Sequence, residues 1–450
     1  GSPLRLIVFF TIPVLLGNIF QNVYNLMDSI IVGRAISMEA LAAVGATSGI
    51  SFLVIGCIQG LTAGFSVITA QRFGAGDYEG VKRSVATSAL LSLAATVLLT
   101  AAGILTARPL LEVMNTPADI IEDSYAYIIV IYYGVAATAF YNLLSCIIRA
   151  LGDSKTPLIF LVFASFLNVA LDLLFIITFH MGVGGAAWAT VLSQGVSGLL
   201  CLGYAWRRFP LLRMEKRHWT FDWSYAWKHL RLALPMAMQF VITGTSVLVN
   251  QAVLNLFGSA AVAAFSAASK IHMLSEQVAV SFGTAMATYA GQNYGAGKAG
   301  RVQEGLRKCA LACEAITLGI MVIMTAFGGV MSSWFIDGYH PEVIQQAHLY
   351  LFISALFYPA LTMLFLYRNT LLGLGNGVTP MLAGVCELLS RMIGAPVLGH
   401  FFGFTGLCWI NPIAWVTASG LLFLSYRKTM RNIRPVDPTV DASDPNKIMN

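Results

Sequence analysis

Charge is what this chain has least of. Of its 450 residues only 11% are Asp, Glu, Lys or Arg, while 57% are hydrophobic. A soluble globular domain carries roughly 25% charged residues, so this composition excludes a surface made for water. Mean hydropathy is +0.74. Cysteine is also sparse in pattern: Cys57, Cys146, Cys201, Cys309, Cys313, Cys386 and Cys408 lie in or beside apolar segments, with no CxxC pairing and no histidine cluster nearby. That argues against a zinc site, and the two thiols Cys309 and Cys313 on one helical face do not make one. A nucleophile triad and a metal-ligand helix are both missing, so an enzyme is not expected. The net charge of +6 hints at nucleic acid, but the basic residues sit in short segments between apolar runs. Such a distribution encodes membrane topology rather than a phosphate-binding footprint. Gly1-Ser2 reads as an expression scar, and no cleavable signal peptide follows it.

Apolar runs are what the chain has in abundance. They fall at about 6–33, 41–70, 84–107, 124–148, 157–179 and 183–206, and resume at about 232–257, 262–291, 309–330, 343–372, 380–402 and 405–426. A bilayer-spanning helix needs about 20 apolar residues. The expected fold is therefore an all-α membrane protein of about twelve transmembrane helices. The basic residues fix its orientation. Arg5, Arg72, Lys82, Arg83, Arg149, Lys155, the run from Arg207 to Arg231, Lys298, Arg301, Arg307, Lys308 and Arg427 to Arg434 all share the side of the N-terminus. The other side has only Arg34 and Arg108, and Lys270, Arg368 and Arg391 fall inside spans. Both termini are expected in the cytoplasm of a multi-pass protein of the cell inner membrane, with the lipid bilayer as its surroundings.

The two halves repeat. Gln71-Arg-Phe-Gly-Ala-Gly76 is echoed by Gln292-Asn-Tyr-Gly-Ala-Gly297, and Ala150-Leu-Gly-Asp-Ser-Lys-Thr-Pro157 by Gly373-Leu-Gly-Asn-Gly-Val-Thr-Pro380. Pro13 pairs with Pro235 and Trp188 with Trp409. Six spans per half give both halves the same orientation, a parallel internal repeat of two six-helix bundles suited to rocking-type alternating access. The expected domains are an N-terminal bundle over 1–206, a cytoplasmic amphipathic linker over 207–231, a C-terminal bundle over 232–430 and a polar cytoplasmic tail over 431–450. Trp219, Trp223 and Trp227 recur every four residues in the linker, which predicts an amphipathic surface helix. The Gly-Ala-Gly loops lack a following Lys-Ser/Thr and predict tight turns rather than phosphate cradles.

An ionisable side chain inside the bilayer is costly and is by default a functional candidate. Asp28, Asp172, Glu276 and Glu387 are the deeply placed acids. Asp28 shares its helix with Asn18, Gln21, Asn22, Asn25 and Ser29; at roughly 100° per residue these fill one helical face, which requires water or protein beside it. Asn168 and Asp172, four apart, stack on one face of the fifth span. Oxygen ligands of this kind suit a hard cation, and a structural hydrogen-bond knot is the alternative. Asn22, Asn25, Met27, Tyr141 and Glu276 are candidates for the wall of a substrate cavity. Glu387 and Arg391, also four apart, predict a structural ion pair.

The chain resembles the multidrug and toxic compound extrusion (MATE) family of cation-coupled exporters, and is most similar to its prokaryotic DinF-like branch. The residues that carry the resemblance are Pro13, Tyr24-Asn-Leu-Met-Asp28 with Gly33, Ala40-Leu-Ala-Ala-Val-Gly45, both Gln-x-aromatic-Gly-Ala-Gly loops and Asn168-x-x-x-Asp172. Where the NorM-like branch has a glutamate in its seventh span, this chain has Thr243. The resemblance implies that Asp28, Asn168, Asp172 and Thr190 bind the coupling ion, a proton or Na+, with no organic cofactor. It also implies a monomer that exports lipophilic organic cations or drugs and binds no nucleic acid. The second half lacks the site: Asn250, Arg391 and Ala395 stand opposite Asp28, Asn168 and Asp172. A flippase for a lipid-linked saccharide or peptidoglycan precursor is the other reading, and it calls for intramembrane cations to outnumber acids, which they do not.

The orientation is open to a labelling test. In a cysteine-free background, Ser2→Cys and Lys216→Cys should react with a membrane-impermeant maleimide only in inverted vesicles, and Thr116→Cys only in intact cells. Labelling of Ser2→Cys from outside overturns the assignment.

Overall fold

The computed structural model describes residues 1–336 and 340–433. The polar tail expected beyond Arg434 lies outside the described residues. Among those residues the chain forms thirteen α-helices and no strand. The first half runs α1 (Pro3–Ala35), α2 (Met38–Gly74), α3 (Tyr78–Val113), α4 (Ile121–Tyr133), α5 (Val135–Ala150), α6 (Lys155–Leu173) and α7 (Gly182–Arg208). The second runs α8 (Trp223–Asn255), α9 (Ser259–Gly295), α10 (Ala299–Ser333), α11 (Pro341–Leu356), α12 (Tyr358–Gly373) and α13 (Val378–Asn432). Eight of these are long and apolar enough to cross a membrane singly. Two bent pairs each make one further span: α4 with α5, at 47°, and α11 with α12, at 53°. The 37-residue α9 is diluted by Lys270, His272 and Glu276, and α13 contains two helices joined at the non-helical Gly403 (φ 60°, ψ −143°). Counting these gives the twelve spans read from the sequence.

The repeated motifs have a common physical cause. Gly76, Gly152, Gly297 and Gly375 all have positive φ, between 69° and 94°. The next residue's amide bonds back across the helix end each time: Asp77 to Arg72 O, Asp153 to Ile148 O, Lys298 to Asn293 O and Asn376 to Leu371 O. These are Schellman caps, in which a left-handed glycine satisfies the last carbonyls of a helix. Asp77, Asp153 and Asn376 then accept amides of the following helix, from Gly80, Thr156 and Thr379 respectively. The Gly-Ala-Gly and Leu-Gly signatures are therefore stop-and-restart punctuation, and the loops are tight turns.

The packing units are cut differently from the chain. One compact unit is Leu16–Phe240; the other combines Gly1–Leu15 with Val241–Asn450. The boundaries drawn at 206 and 231 thus miss an exchange of arms: the start of α1 belongs with the second half, and the start of α8 with the first. Each division falls just past a proline inside the helix, Pro13 or Pro235, where a backbone hydrogen bond is lost. Within the first unit, Gly56, Gly60 and Gly64 line one face of α2, and α8 lies directly on them. A Cβ would come 2.6 Å from the Phe240 ring at Gly56, 2.7 Å from Ala237 N at Gly60 and 2.4 Å from Ala233 Cα at Gly64. Small residues at every fourth position let helix backbones approach this closely. Within the second unit, Ile7 of α1 is buried against Phe282, Ala285 and Met286 of α9.

The linker does not form the expected amphipathic helix. Pro210–Leu212 and Lys216–Trp219 are short 3-10 turns. Asp222 then breaks the run, its Oδ1 accepting the Ser224 amide at 2.9 Å to start α8. Side-chain bonds strap the segment to α3: His218 Nε2 meets Glu79 Oε2 at 2.8 Å, and Arg83 pairs with Asp222 at 2.7 Å. His229, fully buried, lies 2.9 Å from Ser84. Trp219, Trp223 and Trp227 remain exposed.

Overpacking a close helix contact costs about 1–3 kcal/mol. Gly64→Ala should lower the thermal unfolding midpoint in detergent, whereas Gly203→Ala, where a Cβ meets nothing within 4 Å, should not. Equal midpoints for the two variants contradict the close approach of α2 and α8.

Candidate functional site: an acid pair in the N-terminal bundle

The polar stripe of α1 brings Tyr24 and Asp28 to the face where α6 and α7 present Asn168, Asp172 and Thr190. Asp172 is 0% exposed and Asn168 1%, whereas Asp28 is half-buried. The Asp28 and Asp172 carboxyls face each other closely enough to interact directly. Carboxylates only accept, so a direct bond between the two requires a proton on one of them. Asn168 Nδ2 donates to Thr190 Oγ1 at 3.2 Å, and Thr190 in turn donates to Ala186 O at 3.2 Å. The Tyr24 hydroxyl also bonds Thr190. Tyr127 of α4 stands in the field of both acids. Asp172 lies just before Leu174–Thr178, where α6 widens into a π-helical turn. Such turns are rare and frequent at functional sites.

The four residues expected to bind the coupling ion are thus brought together. Asp28 Oδ1 is sealed from solvent and accepts no hydrogen bond, so one oxygen is available to an incoming proton or cation. Two further members, Tyr24 and Tyr127, escaped the sequence reading. Tyr24 carried a signal, standing four residues before Asp28 on the same helical face; Tyr127 carried none. Of the cavity candidates, Asn25 and Met27 are exposed and Asn22 is half-buried. Tyr141 is different: it is 8% exposed in a core with Leu144, Ile147 and Cys201, and its hydroxyl donates to Pro157 O at 3.3 Å. That packing leaves it little surface for a ligand.

The C-terminal bundle has its own polar cluster. Glu387 contacts Arg391 at 3.4 Å as expected, but it also bonds Arg368 of α12. The expected pair is therefore a triad of two cations on one carboxylate. Arg391 Nε donates to Asn411 Oδ1 at 3.1 Å, and Asn411 Nδ2 donates to the Tyr350 hydroxyl at 3.0 Å. Glu276 Oε2 lies 3.9 Å from His272 Nε2. His272 stacks against Trp415 and Tyr358, with ring centroids at 5.3 and 5.5 Å.

A two-bundle helical membrane fold with a buried acid pair on one side only defines a class, and sequence comparison supplies the family. The MatE family profile matches residues 13–174 and 235–397, once in each half. The chain belongs to the MatE family. It is 31% identical to the probable multidrug resistance protein YpnP of Bacillus subtilis, over 94% of this chain and 93% of that one. It is 27% identical to the probable multidrug resistance protein YoeA of the same organism, over 94% and 93%. An outward-facing structure of a multidrug resistance MATE family transporter of the MOP superfamily superposes with a TM-score of 0.89 at 25% identity, covering 96% of this chain and 97% of that one.

Removing one partner of a buried ion pair costs about 3–5 kcal/mol, because the remaining charge is left uncompensated. Glu387→Gln should lower the unfolding midpoint markedly, and adding Arg368→Met should restore part of the loss. No recovery in the double variant contradicts the triad.

Proposed function

We propose that the chain is a secondary active antiporter that exports lipophilic organic cations, including drugs, in exchange for inward-moving protons. It acts as a monomer in the cell membrane with both termini in the cytoplasm. The observation that carries the reading is the juxtaposition of the Asp28 and Asp172 carboxyls, among Tyr24, Tyr127, Asn168 and Thr190. A proton on this pair removes negative charge and with it the attraction for an organic cation. Loss of the proton restores that attraction. Two cargoes that each weaken the other's binding give exchange its physical basis. Asn168 and Thr190 hold Asp172 in place by fixing the polar edge beside it. Sodium is the alternative coupling ion, since the ligands are all oxygens. The proton is favoured because one proton held between two adjacent carboxyls offsets their mutual repulsion without further ligands. The names of the Bacillus relatives, both multidrug resistance proteins, agree with drug export.

In reconstituted vesicles, an imposed proton gradient should drive uphill efflux of a cationic dye, and Asp172→Asn should abolish it while leaving downhill dye exchange in place. Full gradient-driven efflux by Asp172→Asn sinks the proposal. Efflux driven by a sodium gradient alone replaces the proton with sodium.

A further inference from the structure

The C-terminal bundle concentrates positive charge where the N-terminal bundle concentrates acid. Arg368 and Arg391 both bond Glu387, so two fixed cations meet one firmly held carboxylate. A guanidinium has five N–H donors. Arg391 uses Nε on Asn411 and one terminal nitrogen on Glu387; its other terminal nitrogen bonds nothing among the described residues. The Arg391 side chain is 13% exposed, so it is neither sealed in the core nor open to bulk solvent. Glu276 of α9 stands in the field of Glu387, Arg391 and Arg368 but forms no hydrogen bond with any of them. Its contact is His272, at 3.9 Å, and 29% of its side chain is exposed. Lys270, close by on α9, is drawn away over the Phe335 ring at 5.3 Å. The rings of His272, Tyr358 and Trp415 stack behind the charges, with Tyr358 and Trp415 buried in the core.

We propose that Arg391, held in position by Glu387 and Asn411, recognises a carboxylate on an amphiphilic organic molecule, and that Glu276 competes with that carboxylate for the same guanidinium. The arrangement suits an anion. Two cations disfavour a bound metal or ammonium, and a planar guanidinium matches a carboxylate in shape and charge. Glu387 fixes the orientation of Arg391 without neutralising the cluster. Glu276 in its ionised form brings the four charges to balance, so a ligand carboxylate must displace its influence. The inference rests on the exporter reading only in taking the ligand to be cargo.

The test is equilibrium binding by fluorescence anisotropy, using the purified full chain in detergent and a matched pair of dyes. Rhodamine B carries a free carboxylate, and its ethyl ester lacks one. The free acid should bind about tenfold more tightly than the ester, the increment of one charge-assisted hydrogen bond. Arg391→Gln should bring that ratio to about one, and Glu276→Gln should raise it. Equal affinities for the two dyes in the unsubstituted protein overturn the proposal, as does a preference that survives Arg391→Gln. Should Arg391→Gln fail to fold, Glu276→Gln decides, and an unchanged ratio there overturns the proposal. Binding needs no ion gradient, so this failure leaves proton coupling standing, and a failure of gradient-driven efflux leaves this site standing.

Discussion

A charge in hydrocarbon must find a partner, and in this chain there are so few charges that each choice of partner is visible. The N-terminal bundle sets Asp28 and Asp172 against each other, beside Asn168, Thr190 and Tyr24. The C-terminal bundle resolves the cost of Arg368 and Arg391 by placing Glu387 between them. The first pairs two acids; the second sets two cations on one carboxylate. The same demand applies to the backbone, where an unsatisfied amide in lipid costs several kcal/mol. Helices meet it internally, and the four Schellman glycines meet it at the ends where helices must stop.

The internal repeat preserves backbone devices and discards side-chain chemistry. Gly76 and Gly297, Gly152 and Gly375, and the prolines Pro13 and Pro235 recur because both halves need the same turns and the same break in the first helix. The bends at Gly134 and Phe357 also correspond, at 47° and 53°. The surfaces that receive the exchanged arms do not. The α8 arm is seated on the glycine face of α2, whereas the α1 arm meets Phe282 and Met286 of α9. One contact is backbone on backbone and the other interlocks large side chains. The acids follow the same rule, present in one half and replaced by Asn250 and Ala395 in the other.

Much of this was legible in the sequence because the bilayer forces a simple code. Run length gave the spans, and repeated glycine motifs gave the two halves. Their place inside spans singled out Asp28, Asn168 and Asp172 of the polar cluster, and Thr190 came from the family resemblance. The remainder was hidden for definite reasons. Tyr127 reaches the acids only because α4 packs against α7, which no local pattern encodes. Arg368 joins Glu387 across two helices, so an i, i+4 rule finds only Arg391. The linker's tryptophan spacing suggested a continuous helix, but Asp222 ends the turn and opens the next helix. The exchange of arms was hidden because α1 and α8 each run as one uninterrupted helix across the division.

That exchange orders the assembly of the protein in time. Residues 1–15 emerge from the ribosome well before their partners, since the surface that buries Ile7 is built from residues near position 285. Until α9 has been synthesised and inserted, the leading arm of α1 has no partner of its own. The N-terminal unit is similarly unfinished after its sixth span, because the glycine face of α2 awaits α8. Each unit is incomplete until it has received an arm from the other half of the chain. A truncated product therefore carries an unfilled groove or a loose arm, a mark by which quality control can recognise it.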